Sequence, residues 1–271
     1  MTLLEVDGAR LYYEVRGTGP TVVIVPGAKG GADTYQRLAQ ELSTRHQAVT
    51  YDRRGFSRSV LDEPQDYDRR LATDTEDLRS LIAHLSDQPA MLFGNSSGAI
   101  VALDLLTHHP DLVHTAVAHE PPTVNLLPDA ATWWAFFDTV YDTYRTADIP
   151  TAMRAFAAGA FSDSDRRAMH RQTMQHTHDR YREANTTYWL EHELRQYPQV
   201  DLDLDTLAAH TDQLVLAAGR ESVGQLTDRT SHAVAQNLGV DVVELPGGHV
   251  GCVTEPTEFA TALLQALMHH R

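Results

Sequence analysis

Apolar and polar positions follow two rhythms along this chain. Residues 3–6 and 11–15 are short, mainly apolar segments on either side of Asp7-Gly8, a pattern that predicts an opening β-hairpin. Residues 21–25 are a continuous apolar run rich in β-branched side chains, the mark of a strand covered on both faces. Pro26-Gly27-Ala28-Lys29-Gly30-Gly31 follows as a loop, residues 33–44 as a helix and residues 47–52 as the next strand, which ends in Arg53-Arg54-Gly55-Phe56-Ser57. Over residues 73–86 the spacing of Leu78, Leu81, Ile82 and Leu85 puts an apolar stripe on one helical face. Residues 90–93 predict a short buried strand, 99–106 an apolar helix, and 113–119 another strand leading into Glu120-Pro121-Pro122.

From residue 123 to 199 the second rhythm takes over. Helical stretches rich in aromatics, Arg, Asp and His replace the alternation of strand and helix. Trp133, Trp134, Phe136, Phe137, Tyr141 and Tyr144 crowd the first stretch, and Tyr181, Tyr188 and Trp189 mark the last. The first rhythm then resumes, with strands at 213–218 and 240–245 and helices at 227–237 and 256–269. The organisation expected is an α/β core domain of residues 1–122 and 200–271, with a helical cap of residues 123–199 inserted after the strand that ends at Glu120. Alternating strands and helices imply a mainly parallel sheet with helices on both faces. Sites in such sheets form at the carboxyl ends of the strands. Ser96, Glu120, Glu221, His249 and the loop 26–31 all follow predicted strands and should meet on one edge, beneath the cap.

Gly94-Asn95-Ser96-Ser97-Gly98 fits G-x-S-x-G and joins the strand at 90–93 to the helix at 99–106. A strand that turns sharply into a helix needs small residues on both sides of the turn, which suits glycine at 94 and 98. Ser96 stands at the tip, with the free N–H groups and positive dipole end of the helix behind it. The motif alone is weak, because small residues gather in many loops. Strand before and helix after make Ser96 a candidate nucleophile.

A serine hydroxyl is a poor nucleophile at neutral pH and needs a base. The chain holds fifteen histidines. His108, His109, His269 and His270 fall near predicted helix C-termini, where a cation suits the dipole. His170, His176, His178 and His192 lie on cap helices without ligand spacing. His249 stands apart in Pro246-Gly247-Gly248-His249-Val250-Gly251, where two glycines let the loop after the last strand bend toward the serine. Two carboxylates can orient it. Glu221 follows the strand 213–218; the bland alternative is a solvated charge in a turn beside Arg220. Glu120 sits between an apolar strand and two prolines, so it should be buried and in need of a partner. Backbone N–H groups of Ser97 and of Ala28, in the loop after the first buried strand, are placed to form an oxyanion hole.

A formal charge of −15 argues against nucleic acid and anionic membranes as partners, since both need a basic face. The single cysteine, Cys252, excludes an intramolecular disulfide and a cysteine-cluster metal site. No apolar run of about 18 residues and no signal-type start are present, so a cytoplasmic location is expected. Lys29 is the only lysine. Its rarity reads as GC-rich coding rather than as function.

These segments together resemble a capped α/β-hydrolase, and several resemble the zearalenone lactonases, which open the ester of a resorcylic macrolactone. The likeness lies in Tyr12-Tyr13-Glu14 with Gly17-Thr18-Gly19-Pro20, Val25-Pro26, Ser57-Arg58-Ser59, Ser96-Ser97-Gly98-Ala99, His119-Glu120 with Pro122-Thr123, and Leu245-Pro246-Gly247 with His249. It covers both ends of the core and is thin across the cap. The resemblance implies a Ser96, His249, Glu120 triad, with Glu221 as the alternative acid, and oxyanion donors at Ala28 and Ser97. Ala28 departs from the family's glycine, and Gly27 stands where the family has aspartate. A cap tryptophan that packs on the macrolactone in the family corresponds to Trp189. Tyr188 and Trp133 are further candidates to line the pocket, although most cap aromatics should simply pack helix on core.

The function expected is therefore hydrolysis of a small apolar ester, a macrolactone above all, without metal or cofactor. A general carboxylesterase or thioesterase, a lyase or cofactor-free peroxidase on the same triad, and a ligand receptor on a hydrolase fold are the rival readings. Dehalogenases and epoxide hydrolases need a carboxylate nucleophile, and Ser96 argues against both.

Overall fold

A computed structural model describes residues 2–175 and 179–268. His176, His178, His269 and His270 lie outside the described residues, as does the end of the helix predicted to close the chain. The hairpin is β1 (Thr2–Val6) and β2 (Ala9–Arg16), and β3 (Thr21–Val25) is the first fully buried strand. Helix α1 (Gln36–Leu42), β4 (Gln47–Tyr51), β5 (Val60–Leu61), α2 (Arg70–Leu85), β6 (Ala90–Asn95), α3 (Ser97–His108) and β7 (Val113–His119) follow. Between β7 and the next strand come α4 (Ala130–Thr146), α5 (Ile149–Ala160), α6 (Asp163–Gln175), α7 (Arg182–His192) and the short α8 (Leu204–Ala208). The chain then runs through β8 (Leu214–Gly219), α9 (Leu226–Leu238), β9 (Val242–Leu245), α10 (Gly251–Thr254) and α11 (Pro256–Leu267).

The strands form one sheet in the order β1-β2-β4-β3-β6-β7-β8-β9, with β5 paired to β2. From β4 to β9 every pairing is parallel; only the contacts of β2 with β1, β4 and β5 are antiparallel. Burial follows position in the sheet. The central β3 is buried at every residue, whereas β2 alternates between buried and half-buried positions and the edge strand β9 buries only Leu245. Helices α2, α3 and α9 cover one face, packed on a cluster around Leu81, Ile100 and Leu103. Helices α1 and α11 cover the other, around Leu38, Phe93 and Phe259. A third apolar cluster, around Phe137, Val140, Trp189 and Leu190, joins α4, α5 and α7 to the sheet through Phe56 and Leu226.

Helix α2 starts three residues before its predicted position. Arg70 is drawn into the helix because its guanidinium bonds Glu193, far along the chain, and the carbonyl of Arg54. The two-residue β5 carries no periodicity and was not expected; it pairs Val60 and Leu61 with Arg10 and Ala9.

Candidate active site

Strand β6 ends at Asn95 and α3 begins at Ser97, so Ser96 forms the whole turn, with φ 58° and ψ −124°. The flanking glycines are required by contact distance. A Cβ on Gly94 would lie 2.5 Å from the Gly98 carbonyl oxygen, and one on Gly98 2.1 Å from that of Val25. Ser97 is the first residue of α3, so its N–H is one of the donors a helix leaves unpaired.

Glu120 directly follows β7 with φ 53° and is wholly buried. Its Oε1 accepts the Gly219 N–H at 2.8 Å. Its Oε2 accepts the Thr227 hydroxyl at 2.6 Å and lies 2.6 Å from His249 Nδ1. Burial pushes the Glu120 carboxyl up, but the hydrogen bond and charge of His249, with the Thr227 hydroxyl, outweigh it and hold the group well below the usual carboxylate range. A carboxylate can only accept, so the Nδ1 of His249 carries the proton and Nε2 is left as an acceptor. His249 is 4% exposed and its ring lies 4.7 Å from that of Phe161. Ser96 and His249 line the same cavity, and the hydrogen-bond contacts of His249 are with Glu120 and, at 3.4 Å, the Thr227 hydroxyl rather than with the serine.

The three arms of this arrangement are tied together by the residues just before them. His119 Nδ1 bonds Asn95 Oδ1 at 2.7 Å, Asn95 Nδ2 donates to Tyr35 Oη at 3.3 Å, and the Gly27 N–H donates to the same hydroxyl at 3.1 Å. Burial holds His119 down to about 4 and raises Tyr35 to about 12, so both are neutral at pH 7. Beneath the Gly27 carbonyl, the buried Arg53 guanidinium donates to that oxygen, to Asp74 and to both oxygens of Glu193. Glu193 caps α7, so one guanidinium joins the loop 26–31 to the helical segment. A second joint lies at Asp165 of α6. Its Oδ1 accepts the Val250 N–H at 3.1 Å, and its carboxylate sits where a Cβ on Gly248 would come within 2.6 Å.

Above these groups lies a cavity of about 1330 Å³. Gly27, Ala28, Ser96, Ser97 and His249 line its floor; Met153, Phe156, Phe161 and Trp189 line the helical wall. Three sequence candidates fall elsewhere. Glu221 is exposed, and only its backbone approaches the histidine loop, through an N–H bond to the Gly247 carbonyl at 2.9 Å. Tyr188 is not among the lining residues: its ring packs edge-on against Phe56 at 5.0 Å, beneath the Arg70 guanidinium. Trp133 is also turned aside, half-buried edge-on against Phe136 at 5.6 Å. Trp189 of α7 lines the cavity while its neighbour Tyr188 faces the buried Arg70, as adjacent helical positions must diverge. Thr227, Phe161 and Asp165 touch the candidate acid, base and base loop, and sequence reading did not single them out. A threonine at a helix start and a phenylalanine at a helix end carry no signal of their own.

Residues 22–262 match the model of the alpha/beta hydrolase family. The chain belongs to that family. The mainly parallel sheet between two helical layers is the fold expected of it. An uncharacterized hydrolase of Bacillus subtilis strain 168, YraK, is 33% identical over 267 residues, covering 96% of this hydrolase chain and 93% of the relative. The zearalenone hydrolase of Bionectria ochroleuca is 32% identical over 124 residues, only 45% of this chain and 47% of that enzyme. Among solved structures, the enol-lactonase from Burkholderia xenovorans LB400 superposes with a TM-score of 0.74 at 16% identity, covering 99% of this chain and 100% of that one. That likeness concerns the fold alone.

Proposed function

We propose that this chain is a serine hydrolase of carboxylic esters, with a lactone of the zearalenone type as its natural class of substrate. The observation that carries the reading is the 2.6 Å contact of His249 Nδ1 with the buried Glu120, on the floor of a cavity that Ser96 also lines. Ser96 Oγ attacks the ester carbonyl as His249 Nε2 takes its proton. Glu120 holds the imidazole and stabilises the imidazolium. The N–H groups of Ala28 and Ser97 receive the oxyanion. His249 returns the proton to the leaving alkoxide, which in a lactone stays attached to the acyl group. Water then gives a proton to His249 and its oxygen to the acyl carbon; the proton passes back to Ser96 and the hydroxy acid leaves.

Residues 123–199 serve as the cap, and Trp189 meets the substrate. The partial likeness to zearalenone hydrolases and the apolar wall of Met153, Phe156, Phe161 and Trp189 support an apolar, aromatic lactone over a short linear ester. Macrolactones, p-nitrophenyl esters and acyl thioesters should be compared on wild type and Ser96→Ala. Loss of the nucleophile is expected to lower kcat by ~10⁴–10⁶. Near-full esterase activity in Ser96→Ala overturns the assignment; turnover of linear esters without macrolactones overturns the lactone part alone.

A further inference from the structure

Backbone strain marks this site. Among the described residues, four that are not glycine adopt a left-handed backbone: Lys29 at φ 67°, Ser57 at 50°, Ser96 at 58° and Glu120 at 53°. Such conformations are unfavourable for a residue with a Cβ and persist where the surroundings impose them. Ser96 and Glu120 have roles in the proposed reaction. Ser57 is clamped by Asn185, which accepts its N–H and donates to its hydroxyl, both at 2.8 Å. Lys29 has no clamp of this kind. It directly follows Ala28, lines the cavity with Ser96 and His249, and makes no hydrogen bond or ion pair among the described residues.

An ammonium set into a cavity wall without a close ion pair is unfavourable. Burial and the neighbouring Arg182 guanidinium hold Lys29 below the usual lysine range, and the carboxylate of Asp179 opposes them only in part. Lys29 and Arg182 line the same cavity, together with the carboxylates of Asp33, Asp179 and Glu183, and none of these acids forms an ion pair with Lys29. GC-rich coding accounts for the scarcity of lysine; it does not account for placing the only one at a strained position beside the oxyanion loop.

We propose that Lys29 forms an anion subsite that selects esters or lactones carrying a carboxylate close to the scissile carbonyl. The location of that carbonyl rests on the hydrolase reading; the contact between lysine and anion does not. Ala28 and Lys29 are the two central residues of one turn, closed by the Gly30 N–H on the Gly27 carbonyl at 3.0 Å, and both line the cavity, so one ligand can meet the Ala28 N–H and the Lys29 side chain together. The substrate then departs from a wholly apolar lactone: its apolar body lies against Phe156, Phe161 and Trp189, and it carries a carboxylate on Lys29.

The test uses a pair of matched esters, p-nitrophenyl hexanoate and mono-p-nitrophenyl adipate, which differ by a terminal carboxylate. The ratio of their kcat/KM values should favour the adipate. Lys29→Met should lower that ratio about tenfold or more, the worth of a hydrogen bond to a charged group. Lys29→Arg should keep most of it, and added salt should erode it. A ratio equal in wild type and Lys29→Met overturns the proposal, even if both esters slow together. A second readout does not need turnover. Reductive ¹³C-methylation of Ser96→Ala gives one dimethyl-lysine signal, identified by its loss in the Lys29→Met double variant. Monomethyl adipate should shift that signal saturably and methyl hexanoate should not; equal responses to the two overturn the subsite. Should Ser96→Ala still hydrolyse esters, the hydrolase reading fails, and titration of the same dimethyl-lysine signal with adipamate against hexanamide, non-ester ligands that differ by a carboxylate, still decides the subsite.

Discussion

Glu120 beneath the cavity floor and Trp189 on the helical wall are both almost fully buried, yet different forces hold them. Glu120 takes hydrogen bonds from Gly219, Thr227 and His249, each from a different part of the chain. Trp189 is held by ring contacts, the nearest an edge-on Phe156 at 4.9 Å, which in turn packs on Phe161 at 5.3 Å. Hydrogen bonds are directional and fix one geometry. Apolar packing tolerates exchange of side chains of similar volume. The floor therefore has one arrangement suited to one kind of chemistry, while the wall can be recut for different substrates around it.

The comparison breaks most decisively at the two glutamates. Glu120→Gln keeps the shape of the floor but replaces one acceptor oxygen by a donor, so His249 loses its orientation and its counter-charge. A loss of ~10⁴ in kcat is expected, with a far smaller change in KM. Glu221→Gln alters an exposed side chain and should stay within about twofold. Steady-state kinetics on one p-nitrophenyl ester separates the outcomes. A large loss only at Glu221 would reverse the assignment of the acid.

The same contrast explains what could be read in the sequence. Strand β3 has the bounds its apolar, β-branched run predicts, because a strand buried on both faces leaves a continuous trace. Ser96 was legible because its turn forbids a Cβ at Gly94 and Gly98. Burial made Glu120 a candidate partner of His249, since a charge between an apolar strand and two prolines needs one, and the resemblance to the zearalenone lactonases chose it over Glu221. The wall left no such trace. Helical aromatics show that a face is buried without showing which neighbour it meets, and so Tyr188 and Trp133 were expected in the pocket and lie outside it. Arg53 and Glu193 are 140 residues apart, and their pairing exists only once α7 folds over the loop 26–31.

A middle-sized effect tests the floor's rigidity through pH. His119 stays neutral in the fold, with its pKa held down to about 4 by burial, while the unfolded chain takes up a proton near 6.5. Between those values the unfolded state binds more protons, so stability falls as pH drops from 6.5 toward 4 and levels off below. At about 1.4 kcal/mol per pH unit the full effect is of order 3 kcal/mol. His119→Asn can still donate to Asn95 Oδ1 and has nothing to titrate. The advantage of wild type over this variant, measured as Tm across pH 4–7, should shrink as pH falls. A constant difference would mean that the floor admits a charged His119, and that its geometry is less fixed than its hydrogen bonds imply.

The smallest effect sharpens the wall. Trp189→Phe keeps an aromatic ring but removes part of the surface facing the cavity. A contact of that size is worth about 1–3 kcal/mol in discrimination between substrates. The kcat/KM for a bulky aromatic lactone should therefore fall about tenfold more than that for p-nitrophenyl acetate, which is too short to span from Ser96 to the wall. The pH profile should keep its shape, because Trp189 reaches His249 only through Phe156 and Phe161. Equal losses on both esters, with a displaced pH profile, would give Trp189 another task. It would then hold Phe161 against the imidazole, and the wall would belong to the catalytic floor rather than to the substrate.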